Sequence, residues 1–533
     1  MIIIFGWLKL RIFVLRYTMK HSFRSLLAGN YDAIPAAVAG FIIIQAFAAH
    51  GGIGVSPDSV VYMSTAANIR DHALINDFTN MPVMDFPALY PIFLSGVILL
   101  SGHSILAAGP ILNGLLFAAL IWLCGWMMER FPSPSKWYKW PLLLFIVLSP
   151  CLLEVYSMIW SETLFLLLSL FFIIACHRYF QSHSMPSLVI AGVIAGLACV
   201  TRYAGVALIG MGGLLMLFDR TLPFKKGSVG KKIGHLLLFG LIALLPLVLN
   251  LWRNYRLTGT LTGYREKGLT PFGTNLHDFG SVFCDWLPFF NERYGWASVV
   301  AVFFTLLITG LFVFRLVRKK DFFSYDTIAI SLFVVYAGFI LASATFSRFQ
   351  QLDSRLLSPL FLPWLWGSTC WIPAQIVRVR ERTRPIWMVV AIVGAGCFVL
   401  GEWRNPQLSW NGIHYAGIPG YTEDQWTLSE TMKFVRTNKP LLATKGTIYS
   451  NAFEGLWFLA DTRSELIPHR DSPDDINYLM KEARFTVIWF NDAENDDLID
   501  INYIRRHRKL ENEYHFSDGT VYFFTKETPA TAH

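Results

Sequence analysis

The sequence predicts an α-helical protein with about eleven membrane spans and a small α/β domain at its carboxyl end. The 533 residues are 54% hydrophobic and only 15% charged, whereas soluble proteins are about 45–50% apolar and about 25% charged. Apolar runs such as residues 297–314 approach the ~20 residues that a membrane helix needs and exceed the ~10 of a barrel strand. From about Trp403 onward such runs cease and short strand-like segments begin.

The number of spans follows from the apolar runs and from the basic residues between them. Cytoplasmic loops carry an excess of Lys and Arg. Residues 87–100 are apolar but too few for a span, and their length is nearer that of an interfacial helix. With this segment kept out of the membrane, the strongly basic loops all fall on one side. The predicted spans are 34–50, 106–128, 140–158, 162–177, 187–201, 203–218, 235–252, 297–314, 326–344, 356–374 and 386–402.

This topology divides the chain into three parts. Residues 1–33 are predicted to be a basic cytoplasmic N-terminus, in which Met1–Lys20 is interpreted as a basic amphipathic leader and Met19 could equally be the start. Residues 34–402 form the membrane domain, with a long outer loop at 51–105. Because eleven is an odd number, this loop and residues 403–533 lie on the same, outer side.

Residues 403–533 are predicted to form the α/β domain. Three strand-type runs alternate with three helical patterns, which is typical of a layered α/β structure. The strand-type runs are 446–450, 484–490 and 520–524, and the helical patterns lie near 423–437, 474–482 and 497–508.

Several functional classes are not indicated. The formal charge of +8 fits a cytoplasmic excess of Lys and Arg, and no basic-aromatic pattern predicts a nucleic-acid partner. The seven cysteines are scattered without a CxxC, so neither a zinc site nor a disulfide framework is predicted. Residues 491–497 lack the spacing and glycine of an EF-hand loop and are interpreted as a solvated loop. Nucleotide-binding and hydrolase motifs are missing, so energy would come from an activated substrate or an ion gradient.

Asp58 is the first candidate catalytic residue. It lies a few positions past the first predicted span, on a loop at the membrane face. A carboxylate there can act as a general base, taking a proton from an acceptor hydroxyl or amine while a bond to a phosphate-linked carbon breaks. The alternative is structural, because Ser56-Pro-Asp58 is a plausible helix start. The two roles are compatible.

Glu162 is the second candidate. It stands in an apolar context, where a charge is costly and is usually paired or functional. The predicted topology places it on the same side of the membrane as Asp58. The alternative interpretation is a cap at the start of the helix that begins at Thr163.

Basic residues on the outer side run against the positive-inside trend. Arginine binds phosphate in a bidentate manner and lysine acts as a point charge, so the set predicts an anionic substrate whose phosphate needs neutralising as it leaves. The alternative is that Arg253 and Arg256 snorkel or pair with Asp353 and Glu266. Asp353, between Arg348 and Arg355, is predicted to bind substrate. The predicted phosphate-site residues are Arg202, Arg253, Arg256, Lys267, Arg348 and Arg355.

Five motifs follow one another along the chain. They are Asp58-Ser-Val-Val-Tyr62, Phe86-Pro-Ala-Leu-Tyr-Pro91, Tyr156-Ser-Met-Ile-Trp-Ser-Glu162, Gly196 to Gly205, and Asp353-Ser-Arg355-Leu-Leu-Ser-Pro359. Their order and sidedness resemble those of the C-type (GT-C) integral-membrane glycosyltransferases, in which the second motif is similar to HPPLYP. This group contains the protein O-mannosyltransferases and the bacterial lipid A aminoarabinose transferases. The resemblance covers about residues 34–402, and residues 447–463 are similar to the lid-like α/β segment of bacterial members.

The resemblance implies a GT-C-like fold that transfers a sugar, with inversion, from a polyprenyl-phosphate donor to a lipid, glycan or protein acceptor. The reaction would occur on the periplasmic face of a bacterial inner membrane, with the lipid bilayer as a further partner. Asp58 matches the family's first-loop catalytic acid, and Glu162 would orient acceptor or sugar hydroxyls. No metal ligands are assigned, and a divalent cation is left open as a cofactor. The motifs add Tyr62, Asp85, Tyr90 and Tyr203 to the substrate-binding residues.

Three residues depart from the family pattern. Pro57 stands where many members carry a second acid, Phe86 replaces a His, and Ala88 replaces a Pro. A polytopic transporter or lipid flippase is the alternative function, and it would place polar or broken helices opposite one another at mid-membrane. Here the acids and arginines gather at one face instead. An inactive scaffold with a partner-binding outer domain is the third interpretation.

Overall fold

A computed structural model of the chain describes residues 30–219, 228–263, 268, 270–287, 294–318, 322–347, 351–493, 495 and 497–526. The predicted leader Met1–Lys20 lies outside these ranges, as do Lys267 and Arg348 of the predicted phosphate site. Within them, a bundle of helices leads into a five-stranded sheet.

Sixteen α-helices lie between residues 34 and 416 in the described ranges. They are α1 (Ile34–Phe47), α2 (Pro57–His72), α3 (Leu89–Ser101), α4 (Ile105–Met128), α5 (Lys136–Leu148), α6 (Pro150–Ser157), α7 (Glu162–Ser182), α8 (Met185–Thr201), α9 (Val206–Phe218), α10 (Ser228–Thr258), α11 (Phe272–Asp285), α12 (Ala297–Arg318), α13 (Tyr325–Phe346), α14 (Ser354–Thr369), α15 (Ile372–Arg378) and α16 (Arg384–Ala416).

Six of these helices are long and apolar enough to cross a membrane, namely α4, α7, α10, α12, α13 and the first part of α16. The pair α5 and α6 is bent by 48° and makes a seventh if it is one broken span. The chain is therefore a multi-pass helical membrane protein. The other predicted spans fall on the shorter helices α1, α8, α9 and α14, so eleven stays the predicted number.

The outer loop contains two helices. Helix α3 has 13 residues and is about 20 Å long at 1.5 Å per residue, which is short of the ~30 Å hydrocarbon core. Helix α2 begins with a reciprocal capping box, in which the Ser56 hydroxyl accepts the Ser59 N–H and the Ser59 hydroxyl accepts the Ser56 N–H. Pro57 occupies the first helical position, where its missing N–H costs nothing. Asp58 therefore sits in the first turn, and Ser56 is the cap.

The outer loop is joined to the connection between α6 and α7. The Gly54 N–H donates to the Ser157 carbonyl at 2.9 Å, and the Ile159 N–H donates to the Gly54 carbonyl at 3.1 Å. A Cβ at Gly54 would lie 2.1 Å from the Met158 sulfur and 2.5 Å from Ile418 Cγ2, so any larger residue would force these side chains to move. The two carboxylate-bearing segments, which are a hundred residues apart in sequence, are thereby held side by side.

The C-terminal domain (residues 417–526) contains the sheet, whose order is β2-β1-β3-β5-β4. Strands β1, β2 and β3 are parallel, whereas β5 is antiparallel to both β3 and β4. The predicted runs at 446–450, 484–490 and 520–524 correspond to β1, β3 and β5. The strands are β1 (Thr447–Ser450), β2 (Glu465–Leu466), β3 (Arg484–Phe490), β4 (Lys509–His515) and β5 (Gly519–Thr525), and the helices are α17 (Asp424–Thr427), α18 (Glu430–Thr437), α19 (Lys439–Ala443), α20 (Phe453–Ala460), α21 (Pro473–Lys481) and α22 (Ile501–His507).

The C-terminal domain is fixed to the outer loop. Helix α16 continues through the predicted boundary at 403 as far as Ala416, and the chain then turns back along the outer loop. The Tyr421 N–H donates to the Val55 carbonyl at 2.7 Å, and the Thr422 hydroxyl donates to the Ile53 carbonyl at 3.1 Å. Apolar side chains of the outer loop share one buried cluster with those of the domain. The segment just before Asp58 is therefore held by the C-terminal domain.

Candidate active site

A cleft of about 630 Å³ opens where α2, α8, α13 and α14 meet. Asp58 from the first turn of α2, Arg202 from the turn after α8, and Arg355 from the first turn of α14 line it. Glu162, at the start of α7, lies behind its wall. The Asp353 carboxylate caps α14 by accepting the Leu356 N–H at 2.8 Å, which places Arg355 two residues later on the cleft.

Two arginines and two carboxylates form one ionic network in this cleft. The Arg355 Nη2 donates to Asp58 Oδ2 at 2.6 Å, and its Nε donates to Glu162 Oε1 at 2.7 Å. The Arg202 Nη1 lies 2.5 Å from the same Glu162 oxygen. The formal charges of the four groups cancel, so no group is left as an isolated buried charge.

The two carboxylates differ in their exposure. The Glu162 side chain is 0% exposed, whereas that of Asp58 is 30% exposed. Asp58 can therefore contact a substrate in the cleft, while Glu162 contacts the two arginines on their buried side. In this structure the Glu162 carboxylate contacts Arg202 and Arg355 and does not line the cleft, and its contact with substrate hydroxyls stays a prediction.

Trp160 and Ser161 support the network. The Arg355 guanidinium lies 4.1 Å from the centre of the Trp160 ring, in a cation–π arrangement. The Trp160 Nε1–H donates to the Ser56 hydroxyl at 2.8 Å, so the same indole also holds the cap of the Asp58 helix. Ser161 accepts from the Arg202 Nη1 at 3.1 Å and lies 3.2 Å from the Tyr62 hydroxyl. Sequence reasoning missed both residues, although they belong to the motif that ends at Glu162.

One donor in the cleft has no acceptor. Among the residues that the structure describes, the buried Arg202 Nε–H makes no hydrogen bond. Such a group costs about 1–3 kcal/mol when it is left unsatisfied. This nitrogen has almost no solvent-accessible surface, so it lies in the wall of the cleft rather than on its open face.

Other predicted substrate-binding residues also line the cleft, namely Tyr62, Asp85, Tyr203 and Asp353. Burial raises the pKa of Asp353. Burial, followed by the charges of Asp58 and Glu162, raises the pKa of the Tyr62 hydroxyl well above its ordinary value. Tyr62 therefore stays protonated and can act as a hydrogen-bond donor.

Three predicted residues lie away from the cleft. Arg253 donates to the Val83 carbonyl at 2.9 Å and to the Ile75 carbonyl at 2.8 Å, so it fastens the outer loop to α10. Arg256 lies 6.0 Å from the Trp252 ring. Tyr90 is buried edge-on against Tyr62, with 5.0 Å between the ring centres. Within the described ranges, no three His, Cys, Asp or Glu side chains are grouped as a metal site would require.

The fold and this cleft define a multi-pass helical membrane protein with a charged site at one end of its bundle. No family model and no curated protein sequence matches the chain. Among solved structures, it is similar to apo ArnT from Cupriavidus metallidurans at 12% identity, with a TM-score of 0.48, covering 95% of this chain and 98% of ArnT.

Two further solved structures are similar to the chain. ArnT from the same organism bound to undecaprenyl phosphate gives a TM-score of 0.44 at 12% identity, covering 92% of this chain and 96% of that one. The arabinofuranosyltransferase AftD from Mycobacteria gives a TM-score of 0.42 at 13% identity, covering 92% of this chain and 41% of AftD. An arabinofuranosyltransferase is therefore among the solved structures to which the chain is similar.

Proposed function

We propose that the protein is an inverting glycosyltransferase that moves a sugar from a polyprenyl-phosphate donor to a cell-envelope acceptor. The observation that carries this proposal is the cleft itself, because it joins a reachable carboxylate to two fixed guanidinium groups beside membrane helices. A base and a phosphate site in one cleft suit displacement of a phosphate from an anomeric carbon.

In the proposed reaction, the Asp58 carboxylate takes the proton of the acceptor hydroxyl or amine. The acceptor atom forms a bond to the anomeric carbon on the face opposite the phosphate, and the bond from that carbon to the phosphate oxygen breaks. The polyprenyl phosphate leaves with the bonding electron pair. Fixed cationic donors aimed at a developing charge commonly contribute about 10²–10³ in rate.

Arg202 and Arg355 are the proposed phosphate-binding residues. Glu162 holds both through one oxygen, so the two guanidinium groups stay within reach of the same ligand. Arg355 also contacts Asp58, and a bound phosphate competes with Asp58 for it. The binding of the donor and the freeing of the base are thereby coupled.

The cleft is proposed to face the periplasm of a bacterial inner membrane. It lies near the start of α4, where a Cβ at Gly109 would lie 2.9 Å from Ile159, three residues before Glu162. At the other end of α4, Lys136 and Lys139 form ion pairs with Asp32 and Glu129. The positive-inside rule assigns that basic end to the cytoplasm, so the cleft and the C-terminal domain are assigned to the opposite side.

The test is transfer by the purified protein in proteoliposomes, supplied with a panel of radiolabelled polyprenyl-phosphate sugars and envelope acceptors. We expect labelled product together with free polyprenyl phosphate. Movement of label across the bilayer without a product would support the transporter instead and would contradict the proposal. Mass spectrometry of envelope glycans from cells with and without the gene identifies the acceptor as lipid, polysaccharide or protein.

A further inference from the structure

Helix α20 of the C-terminal domain packs directly on α2, the helix that carries Asp58. Each of the two helices has an acidic residue in its first turn, Glu454 in α20 and Asp58 in α2. Carboxylates are favoured at helix N-termini because the helix dipole is positive there. The docking of the C-terminal domain thus brings a carboxyl group from a distant part of the chain towards the base.

Tyr421 fixes the position of Glu454. A Cβ at Gly455 would lie 2.7 Å from the Tyr421 ring, so this ring rests on the first turn of α20. Burial, together with the negative charge of Glu454, raises the pKa of the Tyr421 hydroxyl, so this hydroxyl stays protonated next to Glu454. The backbone of Tyr421 is in turn bonded to Val55, three residues before Asp58. One residue therefore connects Glu454 to the segment that leads into the catalytic helix.

The electrostatic surroundings of Glu454 leave it able to exchange a proton near neutral pH. Burial, together with the negative charge of Asp58, raises the pKa of Glu454 to about 7, against the lowering effect of its hydrogen bonds. Asp58 and Tyr421 are the titratable side chains that act on it. A like charge raises the pKa of a carboxyl group, so the Asp58 carboxylate on the neighbouring helix α2 acts on Glu454 in the same direction as burial.

We propose that Glu454 is a second carboxyl group of the active site, supplied by the C-terminal domain, which takes up the proton that Asp58 removes from the acceptor. The proposal rests on the proposed function of Asp58. After transfer, the proton on the Asp58 carboxyl passes to the Glu454 carboxylate, either directly or along water. Glu454 then releases it to bulk water, and Asp58 is again an anion. No bond other than the two O–H bonds changes in this step.

This role has a physical basis in what surrounds Asp58. Its direct partner is Arg355 at 2.6 Å, which carries no acceptor for a proton. Its chain neighbour Pro57 has no side chain that ionises. Glu454 supplies an acid–base group that neither neighbour provides, and it reaches solvent because its side chain is only partly buried.

The coupling can be measured without any substrate. Infrared difference spectroscopy of the full-length protein in nanodiscs, titrated with pH, should show a carboxyl band with its midpoint near 7 that disappears in Glu454→Gln. In Asp58→Asn the midpoint should fall, because the neighbouring negative charge is gone. Asp461→Asn is the matched control, because Asp461 follows the same helix and its side chain is 94% exposed. A midpoint that Asp58→Asn leaves unchanged would overturn the proposal, even if Glu454→Gln fails to fold.

Turnover supplies the second test. The wild-type kcat should rise as the pH passes through about 7, because Glu454 must be ionised to accept a proton. Glu454→Gln should lose this rise, and its kcat above pH 7 should be at least about 10-fold lower than that of the wild type. A uniform loss at every pH with an unchanged profile would indicate a structural role and overturn the proposal. Glu454→Gln with wild-type behaviour beside an inactive Asp58→Asn refutes this inference alone. Product formation by Asp58→Asn refutes the proposed function.

Discussion

Arg355→Lys tests the bridge between the two acids. The guanidinium uses separate nitrogens for Glu162 and Asp58, at 2.7 and 2.6 Å, while its face lies on Trp160. A lysine ammonium keeps the charge, but it is a compact point charge on a flexible stem. Its three donors all radiate from one nitrogen, so it does not reproduce the planar pair of contacts that Nη2 and Nε make with the two carboxylates. The substitution therefore removes the geometry and keeps the charge.

The expected size of the effect follows from the contacts that are lost. One hydrogen bond to a charged group is worth about 1.5–3 kcal/mol, and the cation–π contact about 0.5–1 kcal/mol at a partly exposed site. The buried Glu162 keeps Arg202 as its partner, so it is not left unpaired. We expect a loss of about 2 kcal/mol in the free energy of unfolding. Turnover should fall about 100-fold, the effect of losing one fixed donor to a developing charge.

The assay is release of polyprenyl phosphate by the purified variant, with its thermal unfolding in detergent followed in parallel. Arg256→Lys is the matched control, because Arg256 lies beside Trp252 away from the cleft, and it should behave like the wild type. Arg355→Lys with wild-type turnover would refute the role of the bridge. Loss of folding without a change in the turnover of the folded fraction would refute the catalytic part of it.

Two further substitutions separate structural from functional contacts. Trp160→Phe removes the Nε1–H that donates to Ser56 and keeps an aromatic face under Arg355. It should lower the free energy of unfolding by about 1 kcal/mol, measured by thermal denaturation. Its loss of kcat should be smaller than that of Arg355→Lys. Arg253→Met leaves the Val83 and Ile75 carbonyls without their donor and should destabilise the protein by about 1–3 kcal/mol, with an unchanged KM for the donor. A raised KM for the donor would instead place Arg253 at the phosphate.

The sequence predicts those strands and helices whose own residues favour their structure. Strand β3 is a β-branched and aromatic run, and its predicted bounds equal those observed at Arg484–Phe490. The neighbouring β4, with the sequence Lys-Leu-Glu-Asn-Glu-Tyr-His, was not predicted. It is an edge strand whose side chains are mostly exposed and which pairs with β5 alone. Its structure depends on its partner, so no local apolar pattern marks it.

The candidate site also has residues that the sequence predicts and contacts that it does not. Asp58 and Glu162 stand out in the sequence because a carboxylate beside an apolar run is costly. The contact of Asp58 with Arg355 joins residues 297 positions apart, and no spacing in the sequence reports it. The sequence does not distinguish Arg253 from Arg202, because both are arginines that are predicted to lie on the outer side of the membrane. The two differ only in the folded structure, where Arg253 binds the Val83 and Ile75 carbonyls of the outer loop and Arg202 lines the cleft.

The most direct test of the central claim is turnover by Asp58→Asn with the polyprenyl-phosphate sugar that the wild type uses. The matched control is Asp71→Asn, on the same helix, because Asp71 is exposed and pairs with Arg70. If Asp58 is the base, Asp58→Asn unfolds at a temperature close to that of the wild type and forms no product, while Asp71→Asn turns over normally. Wild-type turnover by a folded Asp58→Asn variant would contradict the account.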